Sequence, residues 1–408
     1  MSQPEHVLVV GAGLGGLRTV ERLRATGYQG RVSLVGDERR APYDRPPLSK
    51  QVLTGEWEPE RTTLRSVEGL DELGVRSHLG MRAVALRPGE VELEDGASLH
   101  ADAIVIATGL AARTLPGQPA QVHTLRTLDD ALALRAALKQ ARSLLVVGGG
   151  FIGAEVASSA HARGLAVTVL EALPVPSARA LGQDLGRLAG RLMTEAGIDL
   201  RCGVEISGFV DAGLRVGVAL ADGSQVDADV AVVGIGGVPR LEWIEAMSAD
   251  NRAANGLACG PTGRVEGLAG VWAVGDVAAW ADPAHGDRHR HEHWTSAGDQ
   301  AATVARDILG EPPPPAPVPY FWSDQFGLKI QLLGRPEHAD SLLPLHGDGL
   351  TGGAVKGTVV GMLAGERLVA VAGFGAARFV VRYRALLQAQ ADRGAALEQA
   401  AKLAAPAG

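Results

Sequence analysis

Two glycine turns, each following an apolar strand and opening a helix, constrain this chain more than any other feature. Val7–Val10 runs into Gly11-Ala12-Gly13-Leu14-Gly15-Gly16, then a helical pattern to about Ala25 and a second strand, Arg31–Val35. The same arrangement returns at Ser143–Val147, Gly148-Gly149-Gly150-Phe151-Ile152-Gly153, a helix to about Arg163 and the strand Ala166–Leu170. Such alternation reads as parallel sheet with crossover helices. In each turn, Gly13 or Gly150 lets the main chain approach a pyrophosphate, and Gly16 or Gly153 lets the helix pack on the sheet. The helix N-terminus offers unpaired N–H groups and partial positive charge. An acidic residue then ends the second strand, Asp37 or Glu38 in the first copy and Glu171 in the second. A carboxylate there accepts the hydroxyls of an adenosine ribose. One such turn is a weak signal, but two complete copies imply two dinucleotides.

Glu171 also bears on which nicotinamide is used. NADPH carries a 2′-phosphate that needs Arg or Lys nearby, whereas Glu171-Ala172-Leu173 offers an anion and two apolar groups. That favours NADH, with Arg179 the nearest opposing cation.

The first repeat does not close before the second begins. Asp102–Ala107 is an apolar strand ending on Thr108-Gly109, and Gly270–Val274 is another ending on Gly275-Asp276. These read as the two ends of one interrupted domain, residues 1–117 and 245–316, with a second domain, 118–244, inserted between them. Pro312-Pro313-Pro314-Pro315 cannot continue a helix and favours an extended spacer. Beyond it, residues 317–408 read as an α+β domain with strands at Lys329–Leu333, Ala354–Leu363 and Leu368–Phe374. A helix is expected from Ala377 to Gln390, and the Ala-rich tail after Asp392 is expected to fray. The fold class is α/β, two Rossmann-like domains followed by this C-terminal domain.

Composition removes several classes of function. A net charge of −7 argues against nucleic acid as a general partner. Hydrophobic residues at 46% can build a large core. No export signal precedes the first strand, and no apolar stretch reaches the roughly 18 residues a membrane span needs. A cytoplasmic protein is expected. Cys202 and Cys259 form no CxxC pair and no metal-ligand cluster. The alternating His289, His291 and His293 read as a solvated loop, so no metal is expected.

Residues Pro42-Tyr43-Asp44-Arg45-Pro46-Pro47-Leu48-Ser49-Lys50, both glycine turns, Gly275-Asp276 and Phe321-Trp322-Ser323-Asp324-Gln325 together carry a family resemblance. Over nearly the whole chain the sequence resembles the FAD-dependent ferredoxin reductases that serve bacterial oxygenases. The resemblance implies the fold of glutathione reductase. It implies FAD contacts at Gly11, Gly13, Gly15, Asp37, Arg45, Lys50, Ala83, Arg126, Asp276 and Trp294, and NADH contacts at Gly150, Ile152, Gly153, Glu171 and Gly236. The cofactor-binding set further includes Leu14, Gly16, Glu38, Ala107, Thr108, Gly109, Phe151, Gly275, Glu292, His293 and Trp322. Arg45 and Arg126 would neutralise pyrophosphate. Asp276 would accept a hydroxyl of the ribityl chain, and the N-terminus of a helix at Thr295–Leu309 would face the flavin. Lys50 and Glu155 form an ion pair in this family near flavin N5, where hydride arrives, and Trp322 would lie against the flavin and line the exit toward the acceptor, a core Trp being the other reading of that residue. Lys50, Glu155 and Trp322 are therefore the catalytic candidates.

Asp37–Lys50 contains no Cys, so the thiol relay of disulfide reductases has no residues to use. A flavin takes a two-electron hydride and releases electrons singly, which makes a one-electron acceptor the natural outlet, and the resemblance implies that this acceptor is a two-iron two-sulfur ferredoxin. That ferredoxin would feed a cytochrome-type or Rieske oxygenase, and Arg288, Arg290, Lys329, Arg382 and Arg384 are candidate docking groups. Reduction of rubredoxin or another acceptor, and redox sensing, are the alternatives. Two departures stand out. Arg240 follows Gly236-Gly237-Val238-Pro239 where the family commonly has Asn, and Phe374–Arg378 lacks an Asn-Arg-Pro. The identity of the ferredoxin, the oxygenase and the oligomeric state stay open.

Overall fold

The computed structural model of the chain describes residues 3–244, 256–283 and 286–405. It divides into two units, Met1–Asp44, Pro59–Ala111 and Gly237–Pro317 in the first, Arg45–Glu58, Ala112–Gly236 and Val318–Gly408 in the second. The expected boundary at 244/245 adjoins residues 245–255, which lie outside the described residues.

The first unit is built on a five-stranded sheet, ordered Val271–Ala273, Ala103–Ile106, His6–Val10, Arg31–Gly36, Val75–Leu79, with every pairing parallel. The central strands His6–Val10 and Ala103–Ile106 are buried along their whole length and read as near-continuous apolar runs because both faces are covered, whereas the edge strand Val75–Leu79 carries Arg76, Ser77 and His78. Val7 and Val9 share a core with Leu17, Val20 and Leu23 of the helix Leu14–Ala25 and with Val304, Ala305 and Ile308 of the helix Trp294–Ile308. Leu8 and Val10 point the other way, into a core with Leu86, Val91 and Leu93 of an antiparallel ribbon. The period of two thus sends alternate side chains of one strand into two separate cores.

The second unit repeats the plan in a four-stranded parallel sheet ordered Asp199–Cys202, Ala166–Glu171, Ser143–Val147, Val230–Val233. Arg45–Glu58 belongs to this unit, and Leu53 shares a core with Leu134, Leu138 and Ala157. The unit also holds a five-stranded antiparallel sheet, ordered Tyr320–Gln325, Leu328–Gly334, Arg367–Phe374, Val359–Ala364, Ser341–His346.

Three sequence expectations change in this C-terminal region. The strand expected from Ala354 begins only at Val359, after Gly357 at φ +89°. The helix expected over Ala377–Gln390 is two short helices, Ala377–Val380 and Arg384–Gln388, separated by a 3₁₀ turn at Val381–Tyr383. The Ala-rich stretch after Asp392 is helical over Arg393–Ala404. The Asp392 side chain caps it by accepting from the Ala395 N–H at 2.9 Å, and Ala396 is buried in a core with Val371 and Tyr383. Among the described residues, no helix is long and apolar enough to cross a membrane.

Candidate functional site

In the first unit, the glycine turn is shaped by two close main-chain approaches. Gly11 has φ +117°, and a Cβ on it would lie 2.2 Å from the Ala107 carbonyl oxygen. A Cβ on Gly16 would lie 1.9 Å from the Gly11 carbonyl oxygen. Gly13 differs: a Cβ there would meet nothing within 4 Å, and Gly13 is the N-cap of Leu14–Ala25 with no side chain capping it. The turn therefore leaves the first N–H groups of the helix without a side-chain cap beside open space at Gly13, which suits a phosphate.

The groups expected around this turn are placed as follows. Glu38 accepts from the Tyr43 hydroxyl at 2.6 Å, whereas Asp37 pairs with Arg240. Thr108 donates through Oγ1 to the Arg240 carbonyl at 3.1 Å, and Gly109 accepts from the Arg240 N–H at 3.2 Å. Gly275, at φ +73°, donates its N–H to Gln300 Oε1 at 2.7 Å, opening the 3₁₀ turn that carries Asp276. Arg290 reaches the Asp276 carbonyl at 3.1 Å and the Glu292 carboxylate at 2.6 Å. His293 is the N-cap of Trp294–Ile308, and Trp294 Nε1 donates to Asp44 at 2.7 Å. Ala83 is buried in the ribbon core.

Burial drives the His293 imidazole down to about 4, against an upward pull from the Asp276 carboxylate. The unfolded ring titrates near 6.5, so the contribution of the neutral folded ring is complete above that pH and is lost as pH falls toward 4. Urea midpoints should decline through this window, and His293→Gln should flatten the decline.

The second glycine turn has the same construction. A Cβ on Gly153 would sit 2.0 Å from the Gly148 carbonyl oxygen, while one on Gly150 would meet nothing within 4 Å. Gly150 is the uncapped N-cap of Phe151–Ala162. Glu171 ends its strand buried, with Oε2 accepting from Gly149 N–H at 2.7 Å and Oε1 from Leu173 N–H at 2.8 Å. Both bonds fix the carboxylate and leave lone pairs for a ribose. Ile152 is 46% exposed, an unusual place for a large aliphatic. Phe151 lies 4.3 Å from Phe321 between ring centroids, and Gly236 holds φ +96°.

Also in the second unit, Lys50 and Glu155 do form an ion pair, Nζ to Oε2 at 2.8 Å. The carboxylate is 3% exposed and receives two further donors, Ser49 Oγ at 2.5 Å and Ser323 Oγ at 2.6 Å. Gln325 Nε2 in turn donates to Ser323 Oγ at 2.9 Å. Three donors on one buried carboxylate satisfy it and lock the position of the Lys50 ammonium. The sequence reading missed Ser49, Ser323 and Gln300 as supports. The Arg45 guanidinium donates to the Arg126 carbonyl, which brings those two arginines together. Trp322 stacks on Tyr320 at 5.9 Å, and the Lys329 ammonium lies 5.7 Å from its ring.

Burial pushes the Cys259 thiol up to about 12 and raises that of Cys202, so neither is an activated thiolate at neutral pH. Of the docking candidates, Arg288 pairs with Glu266 at 2.6 Å and Lys329 with Asp324 at 2.7 Å, which lowers the free positive charge either offers a partner.

Comparison with known proteins accords with this geometry. Residues 5–301 match the pyridine nucleotide-disulphide oxidoreductase model, and residues 320–405 match the reductase C-terminal model. The chain is 38% identical over 347 residues to the benzene 1,2-dioxygenase system ferredoxin–NAD(+) reductase subunit of Pseudomonas putida, covering 81% of each chain. It is 34% identical over 395 residues to the anthranilate 1,2-dioxygenase system ferredoxin–NAD(+) reductase component of Burkholderia cepacia, covering 94% of each. Among solved structures, it superposes on a chain of the covalent putidaredoxin reductase–putidaredoxin complex with a TM-score of 0.89, 28% identity and 99% coverage of both.

Proposed function

The chain belongs to the pyridine nucleotide-disulphide oxidoreductase family, and we propose that it is the FAD-containing, NADH-dependent reductase that supplies a two-iron two-sulfur ferredoxin in an oxygenase system. The observation that carries this reading is the pair of glycine turns, each with an open, uncapped N-cap glycine and a carboxylate ending the next strand. Residues 1–117 and 245–316 hold FAD, residues 118–244 hold NADH apart from the stretch from Gly237 onward, which groups with the first glycine turn, and 317–408 form the C-terminal domain. FAD, when bound, takes a hydride equivalent from NADH and passes electrons on singly. The curated relatives are named as ferredoxin reductases of dioxygenase systems, which supports ferredoxin as the acceptor. We place the reaction in the cytoplasm, where NADH is supplied.

Each chain residue has a defined task. The main-chain N–H groups after Gly13 and Gly150 bind the two pyrophosphates, and Asp37 and Glu171 accept the adenosine ribose hydroxyls. Lys50, fixed by Glu155, orders the place where hydride is transferred, and Trp322 lines the route by which electrons leave. Purified protein should be yellow, oxidise NADH with ferricyanide, and reduce a two-iron two-sulfur ferredoxin rapidly. A colourless protein that takes up no added flavin would end this reading. Slow reduction with a long-lived charge-transfer complex would point instead to a sensor.

Glu171→Ala tests the cofactor preference. It removes the acceptor of two main-chain N–H groups and the anion that repels a 2′-phosphate. A charged hydrogen bond contributes about 1.5–3 kcal/mol, so kcat/KM for NADH should fall about 10- to 100-fold. The NADH-to-NADPH ratio should shrink by at least as much. A preserved ratio would show that Glu171 does not read the ribose.

A further inference from the structure

We infer that Arg240 is a further cofactor-binding residue, one that closes the adenosine end of the FAD site by holding Asp37; this rests on the reading of the first glycine turn as an FAD site. The main chain of Arg240 is anchored three times. Its N–H donates to the Gly109 carbonyl at 3.2 Å, and its own carbonyl accepts from Thr108 Oγ1 at 3.1 Å and Trp243 Nε1 at 3.3 Å. Thr108-Gly109 directly follows Ala107, whose carbonyl oxygen occupies the space where a Gly11 side chain would begin. From this anchor the guanidinium reaches Asp37 at the far end of the neighbouring strand Arg31–Gly36. One side chain thus links the two segments that border the first glycine turn.

An ion pair whose members are each 32% exposed adds little to folding. Its value lies in charge and reach. A carboxylate beside a pyrophosphate brings like charges together, which Arg240 offsets while leaving Asp37 oxygen lone pairs for ribose hydroxyls. The guanidinium commits one nitrogen, Nη1, to Asp37. Its remaining N–H donors suit the oxygens of an adenosine diphosphate moiety, which Arg binds in a fixed fork geometry. Asparagine at this position has neither the charge nor the length to make the link.

Apoprotein stripped of flavin should be titrated with FAD, followed by quenching of flavin fluorescence, with ADP as a competing probe of the adenosine half. Arg240→Asn should raise the Kd of FAD and the inhibition constant of ADP together, by about 10- to 100-fold. Arg240→Lys should recover part of the loss. In an Asp37→Asn background, Arg240→Asn should cost less than it does alone, because the part that acts through Asp37 is already lost and only the direct contacts of the guanidinium remain. Melting of the apoproteins separates binding from folding. An Arg240→Asn protein that binds FAD and ADP within twofold of the parent overturns the inference, as does a loss of FAD affinity with ADP unaffected. Failure of the parent apoprotein to take up FAD overturns the functional reading as well, and is distinguishable from both.

Discussion

In stopped-flow mixing with NADH, the Lys50→Met protein should reduce its flavin about 100-fold more slowly than the parent, the scale on which misplacing a reacting group costs rate. Lys50 Nζ stands 2.8 Å from a carboxylate that is 4% exposed in its side chain, and the lysine itself is only 12% exposed. Neither group has much water to fall back on. Removing Lys50 leaves Glu155 with two hydroxyl donors and no counter-charge, a loss of about 3–5 kcal/mol by the usual cost of orphaning a buried charge. The single variant will therefore be destabilised as well as slow, and the two effects need separating. Lys50→Met combined with Glu155→Gln removes both charges and spares most of the folding penalty. If the pair positions the hydride-transfer chemistry, the double variant regains melting temperature but stays slow. If the pair only supports the fold, rate and stability return together. A Lys50→Met protein reduced at the parental rate would remove the pair from the mechanism.

The parts of this site that were legible in the sequence are those encoded locally. Each glycine turn lies within six consecutive residues, its strand and helix adjoin it, and Glu171 follows within one crossover. Chain geometry leaves little freedom over such distances, so pattern and structure coincide. The Glu155 network is the opposite case. Ser49 and Ser323 lie 106 and 168 positions away from the carboxylate they support, and serine is too common for its presence to signal a partner. Lys50 and Glu155 were paired only through the resemblance, since no residue spacing implies their contact. Asp37 and Glu38 could not be told apart because adjacent strand-end carboxylates differ only in direction. Tyr43 and Arg240 decide that direction, and Arg240 comes from the end of a different strand. The C-terminal helix misled for a different reason: alanine-rich composition conceals which alanines are buried, and the cap that starts the helix is a single side chain.

The glycine turns themselves yield the second large effect, as a contrast between two alanines three residues apart. At Gly153 a methyl would begin 2.0 Å from the Gly148 carbonyl oxygen, a main-chain atom that cannot turn aside. Overpacking of this kind costs about 1–3 kcal/mol or more. The helix-propensity gain of alanine over glycine, at most about 1 kcal/mol, does not offset it. A net loss of about 2–3 kcal/mol should lower the melting temperature of Gly153→Ala by about 4–12 °C, at roughly 2–4 °C per kcal/mol for a domain of this size. At Gly150 the methyl meets no protein atom, and φ −69° is open to any residue. The small loss of N-cap preference there is balanced by reduced freedom of the unfolded chain, so melting should barely move. What the methyl does occupy is the approach to the uncapped N–H groups, so KM for NADH should rise at least tenfold. Stability lost at position 153 with binding lost at position 150 would separate the packing glycine from the phosphate glycine. The reverse pattern would exchange the two roles, and two variants that both bind normally would mean that this turn packs a helix and holds no nucleotide.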